Sequence, residues 1–471
     1  MNEPLFDFGM IGLGVMGRNF LLNMADHGFS VVGLDMDDAK ALSLEKEATA
    51  GTTVKGVTTA EAFVACLKRP RCIMMLVPAG KPVDSVIEEF LPLLGQGDIL
   101  IDGGNSHYTD TIRRIHYLEE KHIHFMGMGV SGGEKGARIG PSIMPGGDID
   151  AWKAVRPMLE AVAAKVQGVP CVAYMGKGAA GHYVKMVHNG IEYAIMQMIS
   201  ETYLIMHKGL GLNNDQLNEV YSKWNQGELE SYLVEITARI FKRQDDKTGN
   251  RLIDMILDEA GAKGTGKWTS QDAMDQHYAI PVIDIAVSMR DLSEYKSERV
   301  LAEGVYGDPD QHIDTPAETV IAELKDALLV GSIICYAQGM SMLRKASADL
   351  KMDIPLAEVV KIWRGGCIIR SVMLDKFYEI FRQSPELPNL LLDESVAQMI
   401  KGAGESMRRG IARAVEAGYP VSGLNAALGY FDSYRRGHLP INLIQAQRDY
   451  FGSHTYQRID EAGSFHTDWD A

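Results

Sequence analysis

The sequence predicts a doubly wound α/β domain followed by a large all-helical domain and a C-terminal tail, and three features carry that reading. From Phe6 to about Cys171, short apolar runs alternate with segments of helical period, the pattern of a parallel sheet with crossover helices. After Gly176 the runs stop and the chain becomes Met-rich and helical, punctuated by Gly209-Leu210-Gly211, Gly261 and Gly304. Beyond Gly437-His438-Leu439-Pro440 it turns polar and aromatic and ends on Asp468-Trp469-Asp470-Ala471. The predicted divisions are residues 1-177, 178-436 and 437-471.

The apolar runs Phe8–Ile11, Val31–Leu34, Cys72–Val77, Ile99–Ile101, His124–Met126 and Cys171–Tyr174 read as the strands of the first domain. Directly after the first run comes Gly12-Leu13-Gly14-Val15-Met16-Gly17, then a helix-compatible stretch from Arg18 to Asp26. Glycines there permit a tight turn and bring backbone amides and a helix N-terminus close to a pyrophosphate. A glycine-rich turn alone is weak evidence of a ligand. Its placement between strand and helix, with Asp35 ending the second run where a carboxylate can accept from ribose hydroxyls, makes it a Rossmann-type dinucleotide loop. Val77-Pro78-Ala79-Gly80 and Asp102-Gly103-Gly104-Asn105-Ser106 each read as plain turns in isolation. Found at successive strand ends, they outline a cleft. Gly129-Val130-Ser131-Gly132-Gly133-Glu134 serves a tight turn equally well, or frees backbone amides to hold a carboxylate or hydroxyl.

In the second domain, Ala179 to Lys208 is long for one helix and apolar on most sides, so it is expected to run through the middle. Lys185, His188, Asn189 and Glu192 stand at i, i+3, i+4 and i+7, on one face of it. Such a polar stripe is often a solvated face. Met186, Val187, Ile191, Ala194, Ile195, Met196 and Met198 around it leave little reason for this helix to lie at the surface, and desolvating charge is costly, so the stripe reads as the lining of a cleft. Burial lowers a lysine pKa toward a neutral amine able to take a proton from an alcohol, and raises a glutamate toward an acid. The helical rise separates Lys185 from Glu192 by roughly 10 Å. Lys263-Gly264-Thr265-Gly266-Lys267-Trp268 offers ammonium and hydroxyl donors suited to a phosphate. Arg290 and Arg448 read as surface-solvated on position alone, and as clamps for an anion if they reach the cleft.

Composition bounds the partners. A chain of 471 residues, 46% hydrophobic and 23% charged, buries a large core, and a formal net charge of -15 argues against nucleic acid or an anionic membrane. Any anionic substrate then needs a local basic pocket. Cys66, Cys72, Cys171, Cys335 and Cys367 are few and scattered, without a Cys-x-x-Cys pair, which fits the cytoplasm. The N-terminal residues lack the basic start and apolar stretch of a signal peptide, and no window is long and apolar enough for a transmembrane helix.

Gly12 to Gly17, Asp102 to Ser106, Gly129 to Gly133, Val184-Lys185-Met186-Val187-His188-Asn189-Gly190-Ile191-Glu192-Tyr193, Lys263 to Trp268, and Gln445-Ala446-Gln447-Arg448-Asp449-Tyr450-Phe451-Gly452-Ser453-His454 together closely resemble the 6-phosphogluconate dehydrogenase family, a branch of the β-hydroxyacid dehydrogenases. The first three fit the wider superfamily; the last three are specific to the phosphogluconate branch. The resemblance implies oxidative decarboxylation of 6-phosphogluconate to ribulose 5-phosphate and carbon dioxide, in the pentose phosphate pathway or in gluconate use. It makes Lys185 the general base on the C3 hydroxyl and Glu192 the acid that protonates the enediol. Asn105, Ser131, Gly132, Gly133, His188, Asn189 and Glu192 would hold the sugar acid, and Tyr193, Lys263, Thr265, Arg290 and Arg448 the phosphate. Residues matching Arg448 and His454 come from the other subunit of a homodimer in the family, which gives the tail a purpose, since a tail of this composition seldom folds alone.

No metal is implied: no cluster of carboxylates stands near the lysine helix, and His122 and His124 lack a third ligand nearby. Two other readings compete. One is a non-decarboxylating β-hydroxyacid dehydrogenase, which the cations at Lys263, Arg290 and Arg448 argue against; the other is a catalytically silent dinucleotide-binding protein, which retention of both Lys185 and Glu192 argues against. The expected cofactor contacts are Gly12, Leu13, Gly14, Val15, Met16 and Gly17, the strand-end residues Asp35, Met36 and Asp37, then Val77, Pro78, Ala79 and Asn105. Many family members carry Asn-Arg-Thr where this chain reads Asp35-Met36-Asp37, followed by Asp38. Carboxylates there suit free ribose hydroxyls and repel a 2′-phosphate, with Lys40 the nearest cation, so NAD is expected over NADP.

Overall fold

The computed structural model describes residues 5–262, 264–308 and 311–471. In the N-terminal domain, strands β1 (Phe8–Ile11), β2 (Val31–Leu34), β3 (Val54–Val57), β4 (Cys72–Met75), β5 (Ile99–Asp102), β6 (His124–Ser131) and β7 (Ser142–Gly147) alternate with helices α1 (Val15–Asp26), α2 (Asp38–Glu47), α3 (Ala60–Ala65), α4 (Lys81–Phe90), α5 (Tyr108–Glu119), α6 (Gly133–Ile139) and α7 (Ile149–Val162). The strands form one sheet in the order β3-β2-β1-β4-β5-β6-β7, parallel except for β7. Met10 of β1 pairs with Gly33 of β2 on one side and Met74 of β4 on the other. The strand order therefore reverses beside β1, and the crevice opens at that switch point. Apolar side chains from both faces pack under the helices in two cores, one around Met10, Phe20 and Met74, the other around Val32, Phe63 and Ile73. Burying such a side chain contributes about 1.5–3 kcal/mol.

Three strand expectations need correction. β3 reads Val-Lys-Gly-Val and is half-buried at the sheet edge, so it lacks the continuous apolar run that marks the central strands. β7 contains Pro145 and two glycines, which hide a strand in the sequence and are tolerated because it pairs only with β6 within the sheet. The run Cys171–Tyr174 is not a sheet strand. It lies along β7 with a single bridge, Val172 to Ile143, in which Ile143 N–H donates to Cys171 O at 3.0 Å. Pro145 has no N–H with which to carry that ladder further. β6, by contrast, runs on to Ser131, so the glycine segment expected as a loop begins inside a strand.

The helical part begins with α8 (Ala180–Leu204), which continues through a π-helical turn, Ile205–Gly209, and so spans nearly the whole predicted helix. After it come α9 (Asn214–Trp224), α10 (Tyr232–Lys242), α11 (Thr265–Asp275), α12 (Pro281–Ser293), α13 (Lys296–Tyr306), α14 (Ala317–Asp349), α15 (Leu356–Trp363), α16 (Met373–Gln383), α17 (Glu394–Glu416), α18 (Ser422–Tyr434) and α19 (Ile441–Gly452). Helix α8 is buried along most of its length, against β6 and β7 on one side and α11, α12, α14 and α18 on the others. Glycines set how near it comes to the sheet: a Cβ on Gly181 would fall 2.1 Å from Gly127 O, and one on Gly129 2.4 Å from the Lys185 Cβ. Among the described residues, no helix is long and apolar enough to cross a membrane.

The tail is more organised than its composition suggests. Asp449 of α19 is buried and accepts hydrogen bonds from Thr455 N (2.9 Å), His466 Nδ1 (2.9 Å), Thr467 N (3.1 Å) and Trp469 Nε1 (2.9 Å). Desolvation pushes this carboxyl up, and those bonds outweigh it and hold it at about 2. Tyr456 and Phe465 exchange backbone hydrogen bonds at 2.8 Å across the bend.

Candidate active site

The β1–α1 loop is shaped by two glycines. Gly12 has φ +93°, and a Cβ on it would sit 2.6 Å from Leu76 O; one on Gly17 would sit 2.0 Å from Gly12 O. Gly14 caps α1 without a side chain, with nothing within 4 Å of its Cβ position, so the helix N-terminus faces open space as an anion site requires. Asp35 ends β2 and accepts from Leu13 N at 2.9 Å and Asp37 N at 3.1 Å, with Lys40 Nζ 3.4 Å from its carboxylate. Burial raises its pKa, but these bonds and Lys40 prevail and hold it below the usual carboxylate range. Asp37 also caps α2, accepting from Ala39 N at 2.9 Å, and Met36 is 94% exposed. An open cleft of about 640 Å³ runs from Gly12, Asp35 and Met36 past Thr58 and Glu61 to Val77 and Glu89.

The polar stripe of α8 faces inward. Lys185 is 6% exposed, His188 0% and Asn189 8%, while Glu192 keeps a partly open carboxylate. Burial lowers the Lys185 pKa, opposed by Glu192 and Cys367; burial raises that of Glu192, opposed by Lys185 and Arg290. The two groups are thus driven from opposite sides toward their uncharged forms, as an acid–base pair needs. Burial, then the charge of Lys185, pushes His188 well below its ordinary value, so the ring is neutral. Its Nδ1 lies 3.0 Å from Asn189 Oδ1, which can only accept, so Nδ1–H donates there. Nε2 must then accept from Ser131 Oγ, 3.2 Å away. Asn189 Nδ2 in turn donates to Thr265 Oγ1 at 2.8 Å. One directed chain therefore runs from the end of β6 through α8 to the start of α11. Next to it, the Arg290 guanidinium lies over the Tyr193 ring, 3.4 Å from its centroid, and a Cβ on Gly266 would meet that ring at 2.6 Å. Tyr193, Arg290 and Thr265 thereby gather at the N-terminus of α11.

Two family models divide the chain between them: the NAD binding domain of 6-phosphogluconate dehydrogenase matches residues 7–176, and the 6-phosphogluconate dehydrogenase C-terminal domain matches residues 181–469. The chain belongs to the 6-phosphogluconate dehydrogenase family. It is an oxidoreductase of that family with an NAD(P)-binding Rossmann domain. It is 49% identical over 462 residues to the NADP(+)-dependent, decarboxylating 6-phosphogluconate dehydrogenase of Bacillus subtilis, covering 98% of both chains. It is 47% identical over 465 residues to the decarboxylating enzyme of Lactococcus lactis, again covering 98% of both. The Plasmodium falciparum 6-phosphogluconate dehydrogenase, solved apo, with its cofactor NADP+ and with its substrate 6-phosphogluconate, superposes with a TM-score of 0.95 at 43% identity, over 98% of this chain and all of that one.

Within this family frame, the remaining expected residues lie around the cleft, beside Ser131 and in the tail. Asn105 is exposed at the cleft, in a loop fixed from behind by Asp102, which accepts from Gly104 N at 3.1 Å and Ser106 Oγ at 2.6 Å. Gly132, at φ +122°, and Gly133, at φ +62°, continue from Ser131 into α6, and Val15, Pro78 and Ala79 are exposed around the dinucleotide cleft. Arg448 and His454 contact the tail itself: Arg448 bonds Gln445 at 3.1 Å and His454 packs on Phe451. Lys263 lies outside the described residues. Among the described residues, no three His, Cys, Asp or Glu side chains gather as a metal site.

Two features escaped sequence reasoning. Buried Arg114 bonds Asp84 (2.8 Å), Asp102 (3.3 Å) and Gly80 O (2.9 Å), tying the loops after β4 and β5 together. The segment after α15 closes the reacting site. A Cβ on Gly132 would strike Gly366 O at 2.6 Å, Ile368 N donates to Ser131 Oγ at 3.4 Å, and Trp363 meets His188 edge-on at 5.7 Å. The pair Gly365-Gly366 was the only signal for it.

Proposed function

We propose that the chain converts 6-phosphogluconate to ribulose 5-phosphate and carbon dioxide. The observation that carries this is the pair of buried Lys185 and half-buried Glu192, with opposed pKa shifts on one helix face, beside Tyr193, Arg290 and Thr265. The names of the Bacillus, Lactococcus and Plasmodium proteins support the same chemistry. A bound dinucleotide supplies the hydride acceptor; Gly12, Gly17 and Asp35 fit its pyrophosphate and ribose. Neutral Lys185 takes the C3 hydroxyl proton as the C3 hydride departs. The resulting ammonium then polarises the C3 carbonyl while the C1–C2 bond breaks. Carbon dioxide leaves, the bonding pair forms the C2–C3 double bond, and Lys185 gives its proton to the C3 oxygen, which yields the enediol. Glu192 protonates the carbon that becomes C1 of ribulose 5-phosphate, and the hydroxyl proton returns to Lys185 as the ketone forms. Asn105, Ser131, Gly132, Gly133, His188 and Asn189 hold the sugar acid, and Tyr193, Lys263, Thr265 and Arg290 the phosphate.

The division at 1-177, 178-436 and 437-471 follows function: dinucleotide, substrate and subunit contact, and a tail that serves a homodimer. Ile441, Leu443, Ile444, Tyr450 and Phe451 are exposed on the tail helix, which supports a second copy as its seat, with Arg448 and His454 of the partner subunit completing the phosphate site. NAD is the favoured cofactor, because Asp35, Asp37 and Asp38 bring three carboxylates to the turn after β2, which repel a 2′-phosphate, and Lys40 is engaged by Asp35. This separates the chain from the NADP(+)-dependent Bacillus relative. The five free cysteines fit the cytoplasm. Carbon dioxide release from 6-phosphogluconate, measured with NAD and with NADP, tests both parts. No release with either refutes the reaction, and equal or better use of NADP refutes the preference alone.

A further inference from the structure

Asp272 sits on α11 and is 5% exposed. Its Oδ1 accepts a hydrogen bond from Tyr108 Oη at 2.5 Å, and its Oδ2 accepts one from Tyr183 Oη. The two rings meet edge to face with centroids 5.0 Å apart. Each partner belongs to a different part of the site. Tyr108 opens α5, directly after the loop that carries Asn105. Tyr183 is on α8, half a turn before Lys185. Asp272 itself rides on the helix whose first residue is Thr265.

A buried carboxylate is an expensive way to join three helices, since taking it out of water is costly and an apolar contact would serve packing alone. What it adds is direction. Both oxygens are acceptors with one phenol each, so the three backbones have one register in which every partner is satisfied. Burial, then the bond and charge of Asp272, holds the Tyr108 hydroxyl far above the ordinary phenol range; burial, then the charge of Asp272, does the same to Tyr183. Both phenols therefore remain donors across the working pH range. We infer that Asp272 is a positioning residue, which uses the Tyr108 and Tyr183 hydroxyls to hold the Asn105 loop, Lys185 and Thr265 in one catalytic register. All three groups are buried and bonded to one another. They act through the residues they hold.

The inference rests on the reaction proposed above, so turnover of 6-phosphogluconate by the unmodified protein is established first; its absence refutes that reaction and says nothing against Asp272. Tyr108→Phe, Tyr183→Phe and Asp272→Asn are then compared by kcat, by KM for 6-phosphogluconate and for the dinucleotide, and by thermal melting. Tyr183→Phe is expected to lower kcat, and Tyr108→Phe to raise the 6-phosphogluconate KM, each by about tenfold or more, because a small misplacement of reacting groups costs that much or more. The dinucleotide KM is expected to rise with Tyr108→Phe too, since the Asn105 loop follows β5 at the same sheet edge as the β1–α1 loop, and to stay within about twofold with Tyr183→Phe. In the Tyr108→Phe/Tyr183→Phe double variant the two losses in kcat/KM are expected to be non-additive, because both act through one carboxylate. If the folded tyrosine variants keep kcat and both KM values within about twofold and only melt lower, Asp272 serves stability and the inference falls. It falls equally if the two effects add. The tyrosine variants lose only a hydroxyl, so the test stands even if Asp272→Asn fails to fold.

Discussion

At the scale of the residue, the proposed site turns on two groups whose pKa values burial shifts toward their uncharged forms. Lys185→Met is expected to abolish oxidation while binding of substrate and dinucleotide remains measurable by calorimetry, because the base is lost and the pocket stays filled. The same substitution should stabilise the protein. In the folded chain the lysine pKa is lowered, so as pH falls from the ordinary lysine value of about 10.4 the unfolded state binds the proton first and stability is lost. Methionine removes that loss. Melting of Lys185→Met should therefore exceed that of the parent at pH 7 and approach it near pH 10. A gap that widens toward high pH would contradict the lowered lysine. For Glu192→Gln, steady-state rates should fall by at least about 100-fold, the usual contribution of a general acid, and an unimpaired variant would leave protonation to another group.

At the scale of the element, what was legible in the sequence was whatever has a local period. The glycine loop after β1, the acid at the end of β2 and the four-residue stripe on α8 all follow from spacing within one strand or helix. β3 and β7 did not, because Lys55, Gly56 and Pro145 break the apolar run of strands that the sheet nonetheless completes. Arg114 and the segment after α15 were hidden for another reason. The bond from Ile368 to Ser131 joins residues 237 apart, and such partners leave no mark on the sequence near either one. Cofactor choice belongs to this scale too, since it lies in the turn from β2 to α2. The unmodified chain is expected to prefer NAD by at least about tenfold in kcat/KM, or about 1.4 kcal/mol. Replacing Asp35, Met36 and Asp37 with Asn, Arg and Thr should move it toward NADP. A threonine hydroxyl in place of the Asp37 carboxylate would still cap α2, so melting should change little. A swapped chain with unchanged preference would locate discrimination outside this turn.

At the scale of the whole molecule, the helical part and tail together decide whether one chain is enough. In the proposed homodimer, Lys185→Met and Arg448→Ala chains, the first inactive and the second impaired alone, should recover activity when mixed and allowed to exchange, because one site of the mixed dimer then carries neither lesion. No recovery after exchange, confirmed by mass, would place Arg448 in its own chain's site or outside it. The residues that make this arrangement readable are few: Gln445 to His454 suggested a shared tail, yet nothing in their spacing disclosed that Asp449 would gather Thr455, His466, Thr467 and Trp469 around itself.

In the proposed homodimer, that gathering bears on how subunits find one another. A segment that folds only on contact spends binding energy on ordering itself, and its amides exchange with solvent whenever the contact opens. Here the turns beyond α19 are closed by bonds internal to the tail, so the docking shape exists before docking. Association should behave as the meeting of two preformed bodies, with little ordering entropy to offset. Amide hydrogen exchange at Thr455 and Thr467 should accordingly stay slow on dilution to concentrations where activity is already falling. Loss of protection in step with activity would instead mean that the partner folds the tail.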